Sequence, residues 1–291
     1  MNNYMFEKVA ILGLGLMGSS IARALKEYDI SKKIVGWDRD GDCVKRGLKI
    51  GFVDIKADDI QAAVRECELV ILSVPVGSML EVLRKIDLKQ QIITDVGSVK
   101  RSFVDDVKVT YGKVPPRAVP GHPVAGSEKK GIDFGRSDLF FDNPVILTPQ
   151  ANCDQFALKT VKEMWVRMGS RVSVMSVEEH DSILAYTSHL PHLLASVLSE
   201  GFYEEENRDV LLNHAGGGFR DVSRIAASDP DIWADIFVAN RDMIFESLDK
   251  FLSGIEKMKG IMAAERHGEL KAFLGRAKLL REQFSARDQE S

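Results

Sequence analysis

The sequence has 291 residues, of which 45% are hydrophobic and 28% are charged, and its formal net charge is -4. This composition is typical of a globular protein, and the length favours two domains. A slightly acidic chain without a long basic run argues against a nucleic-acid-binding protein. No apolar run approaches the ~18 residues of a membrane span, so we expect no membrane segment.

The cysteine content favours a reducing compartment. Cys43, Cys67 and Cys153 lie too far apart for a Cys-x-x-Cys metal or redox motif, and an odd number does not form a disulfide framework. The N-terminus has no basic region ahead of its apolar run, unlike a signal peptide. We therefore expect a cytoplasmic protein.

In the first half, short β-rich runs alternate with amphipathic helical stretches. The predicted strands are 8–12, 33–37, 69–74, 91–96, 118–121 and 144–149. Such alternation is typical of βαβ units around a doubly wound parallel sheet of the Rossmann type, an α/β fold. A helix over 155–169 and a strand over 171–175 would complete this domain, which we expect to end at Ser176.

The second half shows helical patterns throughout. Ser176, with Glu179 three residues later, predicts a capping box at a helix start. Residues 183–202 are apolar on most of their circumference, which favours burial on several sides, including against a second subunit. We expect a dinucleotide-binding domain over 1–176 and an all-α dimerisation domain over 177–291, assembled as a homodimer.

Gly13, Gly15 and Gly18 have the G-x-G-x-x-G spacing between a predicted strand and a predicted helix. Such glycines provide a tight turn, a close approach to a pyrophosphate and a close helix–strand contact. Asp38 ends the second predicted strand, where a carboxylate would accept hydrogen bonds from the adenosine ribose. The pattern predicts a dinucleotide site. The other residues that we assign to this site are Leu16, Met17, Arg39, Ser73 and Pro75.

The charge after the second strand bears on the choice of cofactor. Asp38 favours NAD, because a carboxylate repels the 2′-phosphate of NADP. Arg39 leaves NADP open, because a guanidinium turned inward would contact that phosphate. We expect NAD, with NADP as the alternative.

Ser98 and His122 follow two neighbouring predicted strands, at the sheet edge where doubly wound folds bind ligands. A serine hydroxyl bonded to one imidazole nitrogen would fix the tautomer and leave the other nitrogen free to accept a proton from a substrate alcohol. A loop histidine that caps backbone groups is the alternative. The stiff Gly/Pro frame around His122 favours function.

Two further pairs lie in the helical half. Arg220 and Arg224, four apart after a run of glycines, would share a helix face and suit a dianion, although a solvated basic patch is the alternative. His189 and His192, three apart, lack a third ligand nearby, so we expect no metal. For His189 a buried, hydrogen-bonded histidine is the favoured interpretation.

The motifs GLGLMGSS, TDVGSVK, GHPVAGSEKKG, SHLPH and GGGFRDVSRIA occur in the order seen in the prephenate and arogenate (cyclohexadienyl) dehydrogenases of tyrosine biosynthesis. The sequence resembles this family over roughly residues 7 to 240. The resemblance implies a Rossmann domain, a helical dimerisation domain and the oxidative decarboxylation of a cyclohexadienol with NAD or NADP.

The resemblance also implies roles for single residues. His122 would bind the ring C4 hydroxyl and take its proton, with Ser98 as its orienting partner close to the nicotinamide. Arg224 would bind the ring carboxylate of the substrate. The residues expected around the side chain of the substrate are His192, Ser188, Glu128, Ser127 and Trp233.

The expected reaction is therefore the NAD-dependent conversion of prephenate to 4-hydroxyphenylpyruvate and carbon dioxide. Glu128 favours prephenate, because family members that use only arogenate often lack an acid there. The alternative is a dual-specificity or arogenate dehydrogenase that forms tyrosine directly. A nicotinamide-binding sensor would not need Ser98, His122 and Arg224 together, and a 3-hydroxyacid dehydrogenase would generally carry a lysine base in its helical domain.

Overall fold

The computed structural model describes residues 4–126 and 130–290. The chain forms two compact units, residues 1–241 and 242–291. The first unit holds both β-sheets together with the helices as far as residue 241, and the second is helical. The domain boundary at Ser176 stays a prediction.

A six-stranded parallel sheet forms the centre of the first unit. Its strands are β1 (Phe6–Leu12), β2 (Ser31–Trp37), β3 (Ile55–Lys56), β4 (Leu69–Leu72), β5 (Ile92–Asp95) and β6 (Ala118–Val119). Their order across the sheet is β3-β2-β1-β4-β5-β6, so the chain starts near the middle and winds outward in both directions. The predicted doubly wound fold is confirmed.

Helices cover both faces of this sheet. They are α1 (Leu16–Glu27), α2 (Gly41–Ile50), α3 (Ile60–Val64), α4 (Met79–Leu83) and α5 (Lys100–Tyr111). In β1, Val9 and Ile11 belong to one buried cluster, whereas Ala10 and Leu12 belong to another. Because successive side chains of a strand point to opposite faces, an all-apolar strand fits a sheet that is covered on both sides.

A second, three-stranded sheet differs from the sequence-based expectation. Its strands are β7 (Gly121–Pro123), β8 (Pro144–Leu147) and β9 (Arg171–Val174), with β7 antiparallel to β8 and β8 parallel to β9. The sequence pattern assigns 144–149 and 171–175 to the parallel sheet and places His122 in a loop. Pro120 explains the difference: it has no amide hydrogen to continue the β6 pairing, and its carbonyl accepts a hydrogen bond from the amide of Thr148. The predicted helix between β8 and β9 is present as α6 (Gln155–Arg167).

The helical part of the first unit starts at α7 (Val177–Leu184). The predicted capping box is confirmed, because the Ser176 hydroxyl accepts from the Glu179 amide and the Glu179 carboxylate accepts from the Ser176 amide. A π-helical turn (Ala185–His189) leads into α8 (Leu190–Glu204). The elements that follow are α9 (Arg208–His214), α10 (Gly217–Ser223), a 3₁₀ turn (Arg224–Ala227) and α11 (Pro230–Ala239).

The helices of the second unit are α12 (Arg241–Ala263), whose first residue belongs to the first unit, and α13 (His267–Glu290). None of the helices in residues 4–126 and 130–290 is both long and apolar enough to cross a membrane.

The apolar stretch 183–202 is only partly covered within one chain. Tyr186, Val197 and Tyr203, on or just after it, each expose more than half of their surface. Large apolar side chains exposed along one helix mark a surface that another protein covers. This exposure fits the expected homodimer.

Candidate active site

The three glycines of the G-x-G-x-x-G motif differ in backbone conformation and in the space around them. Gly13 has a φ of +93°, which residues with side chains rarely adopt. A β-carbon on Gly18 would lie 1.9 Å from the carbonyl oxygen of Gly13. By contrast, nothing lies within 4 Å of a β-carbon on Gly15, the residue that precedes α1. Gly15 therefore leaves open space at the positive helix N-terminus, as a bound pyrophosphate requires.

Asp38 follows β2 and faces the glycine turn. Its carboxylate accepts hydrogen bonds from the amide of Leu14 at 2.6 Å and from that of Asp40 at 2.8 Å. These amides hold a negative charge beside the glycines, where the adenosine ribose lies in this type of fold. Arg39 is exposed to solvent.

A cavity of about 430 Å³ opens in front of Gly15. The residues assigned to the cofactor that line it are Gly15, Leu16, Met17, Ser73 and Pro75. Gly13, Gly18, Asp38 and Arg39 do not line it. The open space, the helix N-terminus and the fixed carboxylate of Asp38 together fit a dinucleotide.

A second cavity, of about 320 Å³, adjoins the first. Both are lined by Ser98, Ala125, Gly126, Trp233 and Ile236, whereas His122, Ser188 and His189 line only the second. Of the predicted catalytic and substrate-binding residues, the structure thus brings Ser98, His122, Ser188 and Trp233 together. A substrate in the second cavity would lie directly beside the cofactor.

His122 lies on a strand rather than in the predicted loop. It is part of β7 and pairs with Ile146 of β8, so sheet hydrogen bonds hold its backbone. Burial holds the pKa of His122 well below its ordinary value, and nearby His180, Lys100 and His189 lower it further. His122 is therefore neutral at pH 7, as a general base must be.

The partner of His122 also differs from the prediction. Its Nδ1 lies 2.9 Å from Nε2 of His180. Among the described residues no hydrogen bond joins Ser98 to His122, so the expected orienting role of Ser98 is not seen. The reason is that the Nδ1 edge of the ring faces α7, which carries His180.

His180 and Asp181 are the functional candidates that the sequence analysis missed. Asp181 lies with its Oδ1 at 2.7 Å from His180 Nδ1, and its two oxygens accept the amides of Lys100 and Arg101, each at 2.9 Å, at the start of α5. Burial alone would raise the pKa of Asp181, but these hydrogen bonds lower it below the ordinary value. The available signal was a histidine next to a carboxylate in the helix that starts at Ser176.

A fully buried ion pair between Asp95 and Lys100 lies beneath the site. Asp95 accepts hydrogen bonds from the amides of Gly97 at 2.9 Å and Gly121 at 3.1 Å, and Lys100 donates to the Gly121 carbonyl at 2.7 Å. Each of these glycines immediately precedes a candidate catalytic residue. One ion pair therefore fixes the backbone that precedes both Ser98 and His122, which line the second cavity.

The π-helical turn positions the residues of the SHLPH motif. Pro191 has no amide hydrogen for the helical bond that a regular helix would form there. A π turn holds more residues per turn than an α turn, so residues five apart come to one face. Leu184, Ser188 and His189 accordingly line the same cavity.

Arg220 and Arg224 are not brought to the site in a single chain. Both are exposed, and neither lines the first or the second cavity. The predicted helix face is shared only in part, because α10 ends at Ser223 and Arg224 begins the following 3₁₀ turn. An unpaired guanidinium stays in water, since its burial costs free energy unless an anion is present.

His192 likewise lines neither the first nor the second cavity. Its ring stacks on that of Trp233, with a centroid distance of 3.5 Å, so the aromatic contact buries it. Burial lowers the pKa of His192 to about 4. Ser127 and Glu128, the remaining predicted substrate contacts, lie outside the described residues.

His189 is the buried, hydrogen-bonded histidine that the sequence favoured. Its Nδ1 lies 3.0 Å from Nδ2 of Asn240. Within residues 4–126 and 130–290, no cluster of three or more His, Cys, Asp or Glu side chains has a metal-binding arrangement.

Comparison with known proteins gives the family. The family model of the prephenate dehydrogenase nucleotide-binding domain matches residues 21–174, and that of the dimerization domain matches residues 176–276. The cyclohexadienyl dehydrogenase of Zymomonas mobilis is 39% identical over 266 residues, 89% of this chain and 90% of the relative. The prephenate dehydrogenase of Bacillus subtilis is 36% identical over 270 residues, 90% of this chain and 72% of the relative.

A solved structure agrees with these matches. The crystal structure of prephenate dehydrogenase from A. aeolicus, in complex with hydroxyphenyl propionate and NAD+, superposes with a TM-score of 0.89 at 34% identity, over 96% of this chain and 98% of that one. Two family models that cover most of the chain, and relatives above 30% identity along nearly its whole length, show that this chain belongs to the prephenate dehydrogenase family of oxidoreductases.

Proposed function

We propose that this chain is an NAD-dependent prephenate dehydrogenase, which converts prephenate to 4-hydroxyphenylpyruvate and carbon dioxide in tyrosine biosynthesis. The observation that carries the proposal is the position of His122, a neutral buried base in a cavity that adjoins the dinucleotide cavity. Membership of the family and the name of the B. subtilis relative support this reaction.

His122 is the proposed base for the ring hydroxyl of the substrate. His180 occupies Nδ1, so Nε2 is the nitrogen that faces the substrate. NAD, when bound, supplies the oxidising power by accepting a hydride from the carbon that bears this hydroxyl. Loss of the ring carboxylate as carbon dioxide then makes the ring aromatic.

Ser98 and Trp233 line both cavities and therefore lie where substrate and cofactor meet. We assign to Ser98 a hydrogen bond with the substrate hydroxyl. Trp233 encloses the same region with its large apolar surface. Exclusion of water there strengthens the hydrogen bonds that orient the substrate.

The two carboxylates of prephenate require cations that the second cavity lacks in one chain. Among the described residues that line it, none is a lysine or an arginine. We assign the ring carboxylate to Arg224, with Arg220 as a further cation nearby. Because both are exposed in one chain, the assignment requires that homodimer formation or substrate binding bring Arg224 to a cavity.

A homodimer is part of the proposal. The match to a dimerization domain and the exposed apolar side chains of α8 support it. Three free cysteines support a reducing compartment, the cytoplasm.

A dual-specificity enzyme is the second candidate, because the 39% identical relative is a cyclohexadienyl dehydrogenase. The two candidates differ only at the side-chain end of the substrate, where prephenate carries a keto acid and arogenate an amino acid. Measurement of kcat/KM on prephenate and on arogenate, each with NAD and with NADP, tests the proposal. A comparable kcat/KM on the two substrates would replace it with the second candidate, and a higher kcat/KM on arogenate would replace it with an arogenate dehydrogenase.

A further inference from the structure

A continuous chain of buried hydrogen bonds starts and ends in the second cavity. It runs from His122 to His180 at 2.9 Å, from His180 to Asp181 at 2.7 Å, from the Asp181 carbonyl to Asn240 at 2.9 Å, and from Asn240 to His189 at 3.0 Å. All five residues are buried, and only the two terminal histidines line the cavity. The direction of each bond decides which ring nitrogens are left for a substrate.

Asp181 sets the direction of the hydrogen bonds in the first half of this hydrogen-bond chain. Its carboxylate accepts hydrogen bonds from the amides of Lys100 and Arg101, and amides only donate. The same hydrogen bonds keep its pKa low, so the carboxylate is ionised and can only accept. His180 must therefore donate from Nδ1 to Asp181.

The bond to His122 follows from this direction. When its single ring proton lies on Nδ1, His180 accepts at Nε2. His122 then donates from Nδ1, and its own Nε2 carries a lone pair into the cavity. This is the tautomer that takes a proton.

Asn240 sets the direction of the hydrogen bonds in the second half, which leads to His189. Its Nδ2 donates to the Asp181 carbonyl, and exchanging the amide nitrogen and oxygen of Asn240 would place two acceptors against each other. The second hydrogen of Nδ2 points to His189 Nδ1, which must accept. The ring proton of His189 therefore sits on Nε2, and burial lowers the pKa of His189 to about 4, which keeps the ring neutral.

We propose that His189 is a substrate-binding residue that donates a hydrogen bond from Nε2 to the same substrate hydroxyl whose proton His122 accepts. The inference rests on the proposed function. A hydroxyl is the group that suits such a pair, because it donates to one nitrogen and accepts from the other. As its proton moves to His122 Nε2, the electron pair of the O–H bond stays on the oxygen, where the His189 donor stabilises it.

The position of the two rings suits this role, because both line the same small cavity together with Ser98. His189 Nε2 has no hydrogen-bond partner among the described residues, so its donor is available.

The tautomers are measurable in the wild-type enzyme with NAD bound. The sequence has six histidines, so ¹⁵N-histidine labelling gives few ring signals, which single His→Gln variants assign. We expect, at pH 7, His122 protonated only on Nδ1 and His189 protonated only on Nε2. A proton on Nδ1 of His189, or on Nε2 of His122, overturns the proposal, as does a doubly protonated ring.

Binding of two probes tests the contact itself. The probes are 4-hydroxyphenylpropionate and phenylpropionate, which differ only in the hydroxyl. We expect His189→Leu to weaken binding of the hydroxylated probe about 10- to 100-fold more than binding of the other, and His189→Gln, which keeps a donor, to recover most of the loss. Equal weakening of both probes overturns the contact.

The controls separate this inference from the proposed function. His267→Leu changes an exposed histidine of the second unit and should bind both probes like wild type. If wild type oxidised neither prephenate nor arogenate, the proposed function would fail, whereas the tautomers and the probe difference would still report on His189.

Discussion

A β-carbon on Gly18 would lie 1.9 Å from the carbonyl oxygen of Gly13, whereas one on Gly15 would meet nothing within 4 Å. Substitution by alanine should therefore reduce stability at Gly18 but cofactor binding at Gly15. Gly18→Ala should lower the free energy of unfolding by ~2 kcal/mol or more, because the turn and α1 must separate. Gly15→Ala should leave the melting temperature within about 2 °C but raise KM for NAD at least ~10-fold. Thermal unfolding and steady-state kinetics test both, and a Gly18→Ala protein as stable as wild type contradicts the packing argument.

Asp38 should discriminate against NADP by its charge rather than by its shape. Asp38→Asn removes the negative charge and keeps one of the two oxygens that accept hydrogen bonds from the amides of Leu14 and Asp40. Since the repulsion of a phosphate in a partly desolvated site is about 1–3 kcal/mol, we expect kcat/KM with NADP to rise ~5- to 150-fold relative to NAD. A wild-type enzyme that already prefers NADP would show that Arg39 decides the cofactor.

The acid limb of kcat/KM should lie below the range of an ordinary histidine. Burial, with His180, Lys100 and His189 nearby, lowers the pKa of His122, so the neutral form that accepts a proton persists to a lower pH than ~6.5. His122→Asn should lower kcat ~10²- to 10⁴-fold and remove the limb. A pH profile of each protein tests this, and the same limb in His122→Asn would assign the titration to another group.

Arg224 should act mainly on substrate binding. A guanidinium that holds a carboxylate stabilises bound substrate and transition state alike, so Arg224→Ala should raise KM about one to three powers of ten. Arg224→Lys keeps the positive charge but loses the bidentate hydrogen bond. The KM of this variant should therefore lie between those of wild type and Arg224→Ala. If kcat fell while KM stayed constant, the anchoring role would be wrong.

Buried neutral histidines should make the fold sensitive to acid. Burial lowers the pKa of His189 and of His192 to about 4 in each case, below their value in the unfolded chain. Between ~6.5 and 4 the unfolded state binds more protons, so the free energy of unfolding should fall as the pH falls, by up to ~1.4 kcal/mol per pH unit for each group.

Urea unfolding at several pH values measures this slope. His192→Phe keeps an aromatic ring against Trp233 and should make the slope smaller, whereas His267→Asn, an exposed control, should not. An unchanged slope in His192→Phe would mean that other groups carry the pH dependence.

Local sequence patterns determined those structural features of this protein that depend only on residues close together in the chain. The spacing of Gly13, Gly15 and Gly18 after an apolar strand specified the turn and the helix start, since each requirement is set within a few residues. Ser176 with Glu179 specified a helix start for the same reason. His122 was identified by its place after a strand at the ligand-binding edge of the sheet.

Tertiary structure decided what depends on residues that are far apart in the chain. Pro120 moved the chain from the parallel sheet into a second one, and pairing with β8 set the direction of the His122 ring. His122 and His180 are 58 residues apart, and His189 and Asn240 are 51 apart. The sequence determined which groups this protein carries, but hydrogen-bond direction depends on geometry between segments, so only the folded structure decided which ring nitrogens face the cavity.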